Sequence, residues 1–361
     1  MNNLRMALAA GLTALALVGC ATPPEPATPT TEAPPATPAE SYLACLVTDA
    51  DQGADGSPIV GALNGLDRAQ LELGIETSHV TAADQADYAG LLMAQVDAGC
   101  DIVVGLGTPM ADAMEAAAKA NPATQFALVD ATPNSAPANL RPVLFSAHES
   151  GFLGGYLAAA NSQSGKVGTF GSLSVPAVTI YMDGFVQGVD HYNQANQAEV
   201  EALGWSLEAQ DGTFVRSDSA PQDDPAAGWV AAQSLVDEGA DVIMAVAGHS
   251  GTGALELASQ SEALRIIWSD TDGCLTQPQY CNQLLGSVVK DRAAAVFEVI
   301  QTDHAGNSAA GIFAANLRNA GTGLLAGADG QFPNEIGSEL DSLREQVIEG
   351  TITVNSPSSI A

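Results

Sequence analysis

From Tyr42 onward, short apolar runs alternate with longer stretches in which apolar positions recur every three or four residues. "YLACLVT" precedes helical spacing near 60–73, "IETSHV" precedes a helix near 85–98, "DIVVGL" precedes a helix near 110–119, and "QFALVD" closes the series. In the second of these helices Tyr88, Leu91, Leu92 and Val96 share one face. Strands alternating with amphipathic helices predict a parallel, doubly wound α/β sheet.

Residues 166–270 repeat the plan. "KVGTFGS" leads to a helix near 177–192, "VEALGW" to one near 226–238, "DVIMAV" to one near 252–260, and "RIIWSD" ends the set. Val96, Asp97, Gly99 and Asp101 recur 140 positions later as Val236, Asp237, Gly239 and Asp241, and Asp130 recurs as Asp270. The expected fold is therefore two doubly wound parallel-sheet lobes joined by a hinge, over 41–147 and 148–272. Residues 273–361, with helices near 291–303 and 336–348, fit neither repeat and are expected to recross the hinge and complete both sheets. Ligands of such sheets bind beyond the carboxyl ends of the strands. Asp49, Asp130 and Asp270 end strands and are expected to converge on one cleft; helix N-capping is the alternative role for each.

The segment before Tyr42 has a different character. "MNNLRMALAAGLTALALVGC" carries one charge, Arg5, then an apolar run and small residues, which is a secretory signal over 1–19 and too short to span a bilayer. Leu17, Val18, Gly19 and Cys20 look like a bacterial lipobox, so Cys20 is the expected lipidation site; a plain signal peptide with an incidental Cys is the other reading. Residues 20–40 are rich in Pro, Thr, Ala and Glu with nothing to bury, and read as an extended tether to the membrane.

The chain has 361 residues, enough for two cores, and a formal net charge of −31. That field repels phosphate backbones, so nucleic acid is not an expected partner. Apart from Cys20, the cysteines are Cys45, Cys100, Cys274 and Cys281, an even set in an oxidising compartment. Cys274 and Cys281 flank a short loop and would pin a local hairpin. In a 2-1-3 winding the strand of Cys45 lies beside the strand that Cys100 opens, which allows a second bridge.

Catalytic and cofactor motifs fail on inspection. "GLGTPM" has Met110 where a dinucleotide fingerprint needs its third Gly, and "GHSGTG" has Thr252 where a nucleophile elbow needs its last Gly. His79, His148, His191, His249 and His304 are scattered, so no metal site and no cofactor is expected. His249 sits where a strand hands over to a helix among small residues, and reads equally as a ligand contact or a surface loop residue.

Taken in order, the lipobox, "VTDADQGADGSP", "FALVDATP", "ESGFLGGYLAAA", "GKVGTFGSLSVPAVTIYMDGFVQGVDHYN", "AVAGHSGTGALELA", "SDTDGC" and "SVVKDR" resemble the basic membrane protein family, the lipoprotein substrate-binding components of ABC importers. The resemblance spans nearly all of 42–354. It implies a type I periplasmic-binding-protein-like fold, no enzymatic activity, and a cleft that holds a nucleoside. By position, Asp49 and Asp130 match the family's cleft carboxylates, Gly248 its glycine turn, Phe185 the aromatic of its "GF" segment, and Asp270 and Lys290 the Asp and Lys on the ribose hydroxyls. Lys290 has a surface helix cap as its alternative role. Carboxylates accept from vicinal hydroxyls while an ammonium donates to them and offsets the negative charge, so the chemistry is consistent. The first motif keeps Asp55 and Ser57, but Pro58 and Ile59 stand where the family has a stacking Phe and a base-reading Asn. Trp268, on the strand face of Asp270, is a substitute ring or a core residue.

The resemblance thus implies a monomeric, lipid-anchored binding protein on the extracytoplasmic face of a bacterial cell membrane, with a small-molecule ligand and an ABC permease as partners. A sugar or polyol ligand in the same cleft, and a ligand-sensing surface lipoprotein, are the alternatives.

Overall fold

The computed structural model describes residues 41–49, 58–216, 224–333 and 336–359. The leader, Cys20 and the tether lie outside the described residues, as do Asp55 and Ser57.

Five parallel strands build most of the first sheet: β1 (Leu43–Asp49), β2 (Glu76–Ala82), β3 (Ile102–Leu106), β4 (Gln125–Val129) and β5 (Leu140–Phe145). The helices α1 (Pro58–Leu73), α2 (Tyr88–Asp97) and α3 (Ala111–Ala120) connect them. After α4 (Ala147–Asn161) the second sheet begins with β6 (Lys166–Gly171), α5 (Pro176–Asn196) and β7 (Glu201–Leu203). A two-stranded excursion, β8 (Trp205–Ser206) and β9 (Asp211–Gly212), precedes α6 (Pro225–Asp237), β10 (Val242–Val246), α7 (Thr252–Ser259) and β11 (Arg265–Asp270). The remainder is α8 (Gly273–Thr276), β12 (Leu284–Lys290), α9 (Arg292–His304), β13 (Phe313–Ala315), β14 (Thr322–Ala326) and α10 (Gly337–Glu349).

The first sheet has the order β13-β5-β4-β3-β1-β2 and the second β14-β12-β11-β10-β6-β7. All neighbours are parallel except β12 and β14. The winding is the same in both, and the repeat is geometric as well as textual: β3 and β10 begin and end 140 residues apart. Strands covered on both faces read as continuous apolar runs, and every residue of β10 is buried.

The chain crosses between the sheets at three places: from β5 to α4, from β12 to α9, and from β13 to β14. α9 packs on α1, β3 and β4 in the first lobe, while α4 packs on α5, β12 and β14 in the second. The α4–α5 crossing is unusually close. A Cβ at Gly155 would stand 1.9 Å from the Phe185 carbonyl oxygen, and one at Gly184 would stand 2.1 Å from that of His148. The small residues of "ESGFLGGYLAAA" therefore let the two backbones touch, and this fixes where Tyr181 and Phe185 lie.

Two local expectations are corrected. "VEALGW" is not one strand: Gly204, at φ 83° and packed against the Thr169 carbonyl, breaks it into β7 and β8. The Cys274–Cys281 disulfide pins no hairpin, because the segment between is wound into α8 and a 3-10 turn over Pro278–Gln283. The Cys45–Cys100 disulfide is formed, its Cα atoms 6.0 Å apart beside the β1–β3 pairing.

Candidate functional site

Parallel winding carries the carboxyl ends of both sheets to one edge of each lobe. Asp130 follows β4 and Asp270 ends β11, and the two adopt left-handed backbone conformations, φ 60° and 74°. Asp is among the few non-glycine residues that tolerate this region. The turn lifts each carboxylate off the strand line.

Between the carboxylates stands "KDR". Lys290 ends β12 in the second lobe, Asp291 caps α9 by accepting from the Ala294 amide at 2.8 Å, and Arg292 opens α9 in the first lobe. Lys290 Nζ donates to Asp130 Oδ1 and Oδ2 at 3.0 and 3.2 Å and lies 3.8 Å from Asp270. Arg292 Nη2 donates to Asp130 at 2.8 Å and to both Asp270 oxygens at 3.0 and 3.1 Å. Each lobe contributes one cation and one carboxylate, and the Lys290–Asp130 and Arg292–Asp270 pairs cross the hinge.

The side chains of Lys290 and Arg292 are only 5% and 6% exposed, so their desolvation must be met by good pairing. Burial by itself would raise the Asp130 carboxyl, but the charges of Lys290 and Arg292 outweigh it and hold the group well below the usual carboxylate range. Burial opposes the charge of Arg292 as well, and Asp270 and Asp130 overcome it and keep the guanidinium protonated. Aromatic faces complete the surround. Lys290 Nζ lies 5.5 Å from the Tyr181 ring centre and 5.7 Å from that of Phe145. The Tyr181 hydroxyl is buried with no hydrogen-bond partner among the described residues, and burial, then the Asp270 charge, push it well above the ordinary phenol range.

Two cavities meet at Asp130. One, of about 330 Å³, is lined by Asp49, Ile59, Leu106, Pro109, Asp130 and Arg292, among others, all carried by first-lobe segments or by α9. The other, of about 520 Å³, lies between the lobes and is lined by Asp130, Phe145, Ile180, Lys290, Ile312 and Ser358, among others. Both fall in the size range of small-molecule sites. Asp49 accepts a short hydrogen bond from the Tyr88 hydroxyl, and Tyr88 is pushed up to about 12 by burial and by that bond.

Asp49, Asp130, Asp270 and Lys290 thus stand around the cleft, with Pro58 and Ile59 on the smaller cavity's wall. Phe185 does not face it: it is fully buried between α5 and α4, one turn beyond Tyr181. Trp268 lies in the second-lobe core, its indole N–H on Thr271 at 3.2 Å, because the left-handed turn at Asp270 parts the two side chains. Gly248, at φ 52°, opens the 3-10 turn after β10, and His249 is exposed on it; neither lines the two cavities. Sequence reasoning passed over Arg292, Tyr181 and Phe145. Arg292 was visible only as a second cation at the same strand-to-helix handover as Lys290.

Among the described residues no group of His, Cys, Asp or Glu is arranged to hold a metal ion, and no helix is long and apolar enough to cross a membrane. Two like-wound lobes, three crossovers and charged pairs spanning the cleft define the architecture of the two-lobed, hinged class of binding proteins.

Comparison with known proteins names the family. Residues 45–357 match the family model described as "ABC transporter substrate-binding protein PnrA-like". Basic membrane protein A of Borreliella burgdorferi is 28% identical over 304 residues, 82% of each chain. The ABC transporter nucleoside-binding protein BmpA of Lactococcus lactis is 26% identical, over 87% of this chain and 89% of its own. Among solved structures, ABC transporter solute-binding proteins of Conexibacter woesei and Aeropyrum pernix superpose with TM-scores of 0.68 and 0.65. They share 18% and 23% identity, cover 87% and 88% of this chain and 99% and 94% of their own, and show the type I periplasmic-binding-protein fold. The chain belongs to the basic membrane protein family of ABC transporter substrate-binding proteins. Such a component works outside the cytoplasm and presents a small molecule to a permease.

Proposed function

We propose that the chain is a lipid-anchored, monomeric binding protein that closes its two lobes on a nucleoside or related ribosyl ligand and passes it to its permease. The observation that carries this reading is the placement of Asp130 and Asp270, from like positions in two lobes, around Lys290. Two acceptors flanking an ammonium suit a pair of vicinal hydroxyls. Asp49 and the smaller cavity then receive the base, and Phe145, on the wall of the larger cavity, supplies the aromatic surface assigned by sequence to Phe185. The nucleoside-binding relative from Lactococcus lactis supports the ligand class. Anchoring rests on the sequence alone, on Leu17 to Cys20.

Thermal unfolding of the detergent-solubilised chain with purine nucleosides, pyrimidine nucleosides, free bases and pentoses tests it. A ligand at a thousandfold its Kd adds about 4 kcal/mol and raises Tm by several degrees. A shift with nucleosides but not pentoses is expected. The second reading, a polyol ligand, draws on the aliphatic Pro58 and Ile59 in the cavity wall. It requires stabilisation by free pentoses and none by nucleosides.

A further inference from the structure

The segment that follows α10 comes back to the cleft. Gly350, at φ 80°, caps the helix, and beyond it Val354 and Ser356 are buried and Ile352 half-buried, while Thr351, Thr353, Asn355 and Pro357 are exposed. Alternation with a period of two belongs to an extended chain with one face covered. Val354 joins the core of the second lobe. At Ser356 the inward position is polar, and it meets Asp183 of α5. Asp183 is fully buried; its Oδ1 accepts from the Trp205 indole N–H and the Gln210 amide, each at 2.9 Å, and its Oδ2 accepts from the Ser356 hydroxyl at 2.5 Å. One turn along α5, Gln187 donates to the Asn355 carbonyl at 2.6 Å and accepts from the Asn355 amide at 2.9 Å.

The Ser356 hydroxyl uses both of its capacities, for it donates to Asp183 and accepts from the Ser358 amide at 3.0 Å. Pro357 takes the second position of a turn that the Ser359 amide closes on the Ser356 carbonyl at 3.0 Å. Ser358 and Ser359 thereby reach the wall of the larger cavity, which they share with Asp130, Phe145 and Lys290. The Ser358 hydroxyl is also 2.8 Å from that of Thr179 on α5. Among the described residues, the hydrogen bonds that leave residues 354–359 all end on α5, so this wall moves with the second lobe.

We propose that residues 354–359 are a built wall of the ligand cavity, with Asp183 and Ser356 the positioning residues that seat it, an inference that rests on the reading that the ligand lies between the lobes. No cation pairs with Asp183 among the described residues, so its buried charge depends on these three donors. Loss of the Ser356 hydroxyl leaves Oδ2 unpaired, which is the costly way to break a hydrogen bond. The same loss frees the turn that places Ser358. Apparent affinity then falls by the fraction of molecules in which the wall is seated.

Isothermal titration of the detergent-solubilised full chain with adenosine, guanosine, uridine, cytidine and ribose tests this in wild type, Ser356→Ala and Ser356→Thr. For a compound that binds wild type, Ser356→Ala is expected to raise Kd at least about fivefold. Ser356→Thr keeps the hydroxyl and is expected to stay within about twofold of wild type. Hydrogen exchange of the same samples should show the amides of Asn355, Ser358 and Ser359 slowed by the bound compound. A segment that only stabilises the second lobe would lower Tm in Ser356→Ala and leave Kd and that slowing untouched. A Kd within about twofold of wild type in Ser356→Ala would therefore overturn the wall and leave the ligand reading standing, as would exchange at those amides that binding does not alter. Binding of none of the five compounds would overturn both.

Discussion

Replacing Arg292 with Met keeps the length and apolar stem of the side chain and removes the charge that joins Asp130 to Asp270. Asp130 retains Lys290 at 3.0 Å, but Asp270 loses its two bonds at 3.0 and 3.1 Å and is left with an ammonium 3.8 Å away. Breaking a buried pair by removing one partner costs roughly 3–5 kcal/mol. Asp130 and Asp270 keep side-chain exposures of 25% and 32%, so water softens the loss and about 3 kcal/mol is the reasoned value. For a folded unit spanning Ser41–Ala361 the unfolding entropy scales to about 0.7 kcal/mol/K, so Tm should fall by about 4–5 °C. Differential scanning calorimetry at neutral pH measures this. Asp270→Asn in the Arg292→Met background should then cost at least about 1 kcal/mol less than in the wild type, since the pair it would break is already gone. A Tm within about 1 °C of wild type for Arg292→Met, with additive double-variant energies, would show that the guanidinium does not hold the lobes together.

Three further outcomes follow from other parts of the molecule. Closing 55 residues between Cys45 and Cys100 and only 7 between Cys274 and Cys281, the disulfides should contribute unequally, about 4 against about 2 kcal/mol by loop entropy; denaturant unfolding of the Cys-to-Ser pairs compares them. Gly155→Ala puts a methyl 1.9 Å from the Phe185 carbonyl and should destabilise by at least about 2 kcal/mol, weakening ligand binding as α5 and its cavity-lining Ile180 shift, which melting and titration together detect. Burial lowers His148 to about 4 from an ordinary 6.5, against the opposing charge of Asp183. The unfolded chain therefore binds the proton more readily, and stability is lost as pH falls from about 6.5 to 4, by no more than about 3 kcal/mol; His148→Gln should flatten the melting profile over that window.

Much of the fold was written in period and repetition. β1, β3, β4 and their counterparts announce themselves as apolar runs because both sheet faces are covered, and the 140-residue echo gave the second lobe its registration. β5, its run broken by Arg141 and Pro142, and α4 escaped the same reading. α4 buries most of its surface against α5, β12 and β14, so it shows no polar stripe and no helical period. The site was half legible. Asp49, Asp130 and Asp270 follow from the rule that ligands sit beyond strand ends and Lys290 from the family resemblance, but Arg292 bonds to a carboxylate 162 positions away, after the whole second lobe has intervened in the chain, and no local spacing encodes that reach. The choice between Tyr181 and Phe185 is one turn of a helix, set by how closely α4 glycines draw α5 in.

The three crossovers also govern the order in which the molecule can be finished. β13, the edge strand of the first sheet, and α9, which covers that sheet, arrive more than 140 residues after β5. As the chain emerges from the N-terminus, the first lobe lacks an edge and a lid until nearly all of the second has followed. Its non-local pairings make folding slow relative to a chain of local contacts. A protein bound for the far side of a membrane gains from that delay: the segment that threads first cannot lock into a finished globule before the last fifth of the polypeptide has begun to pass.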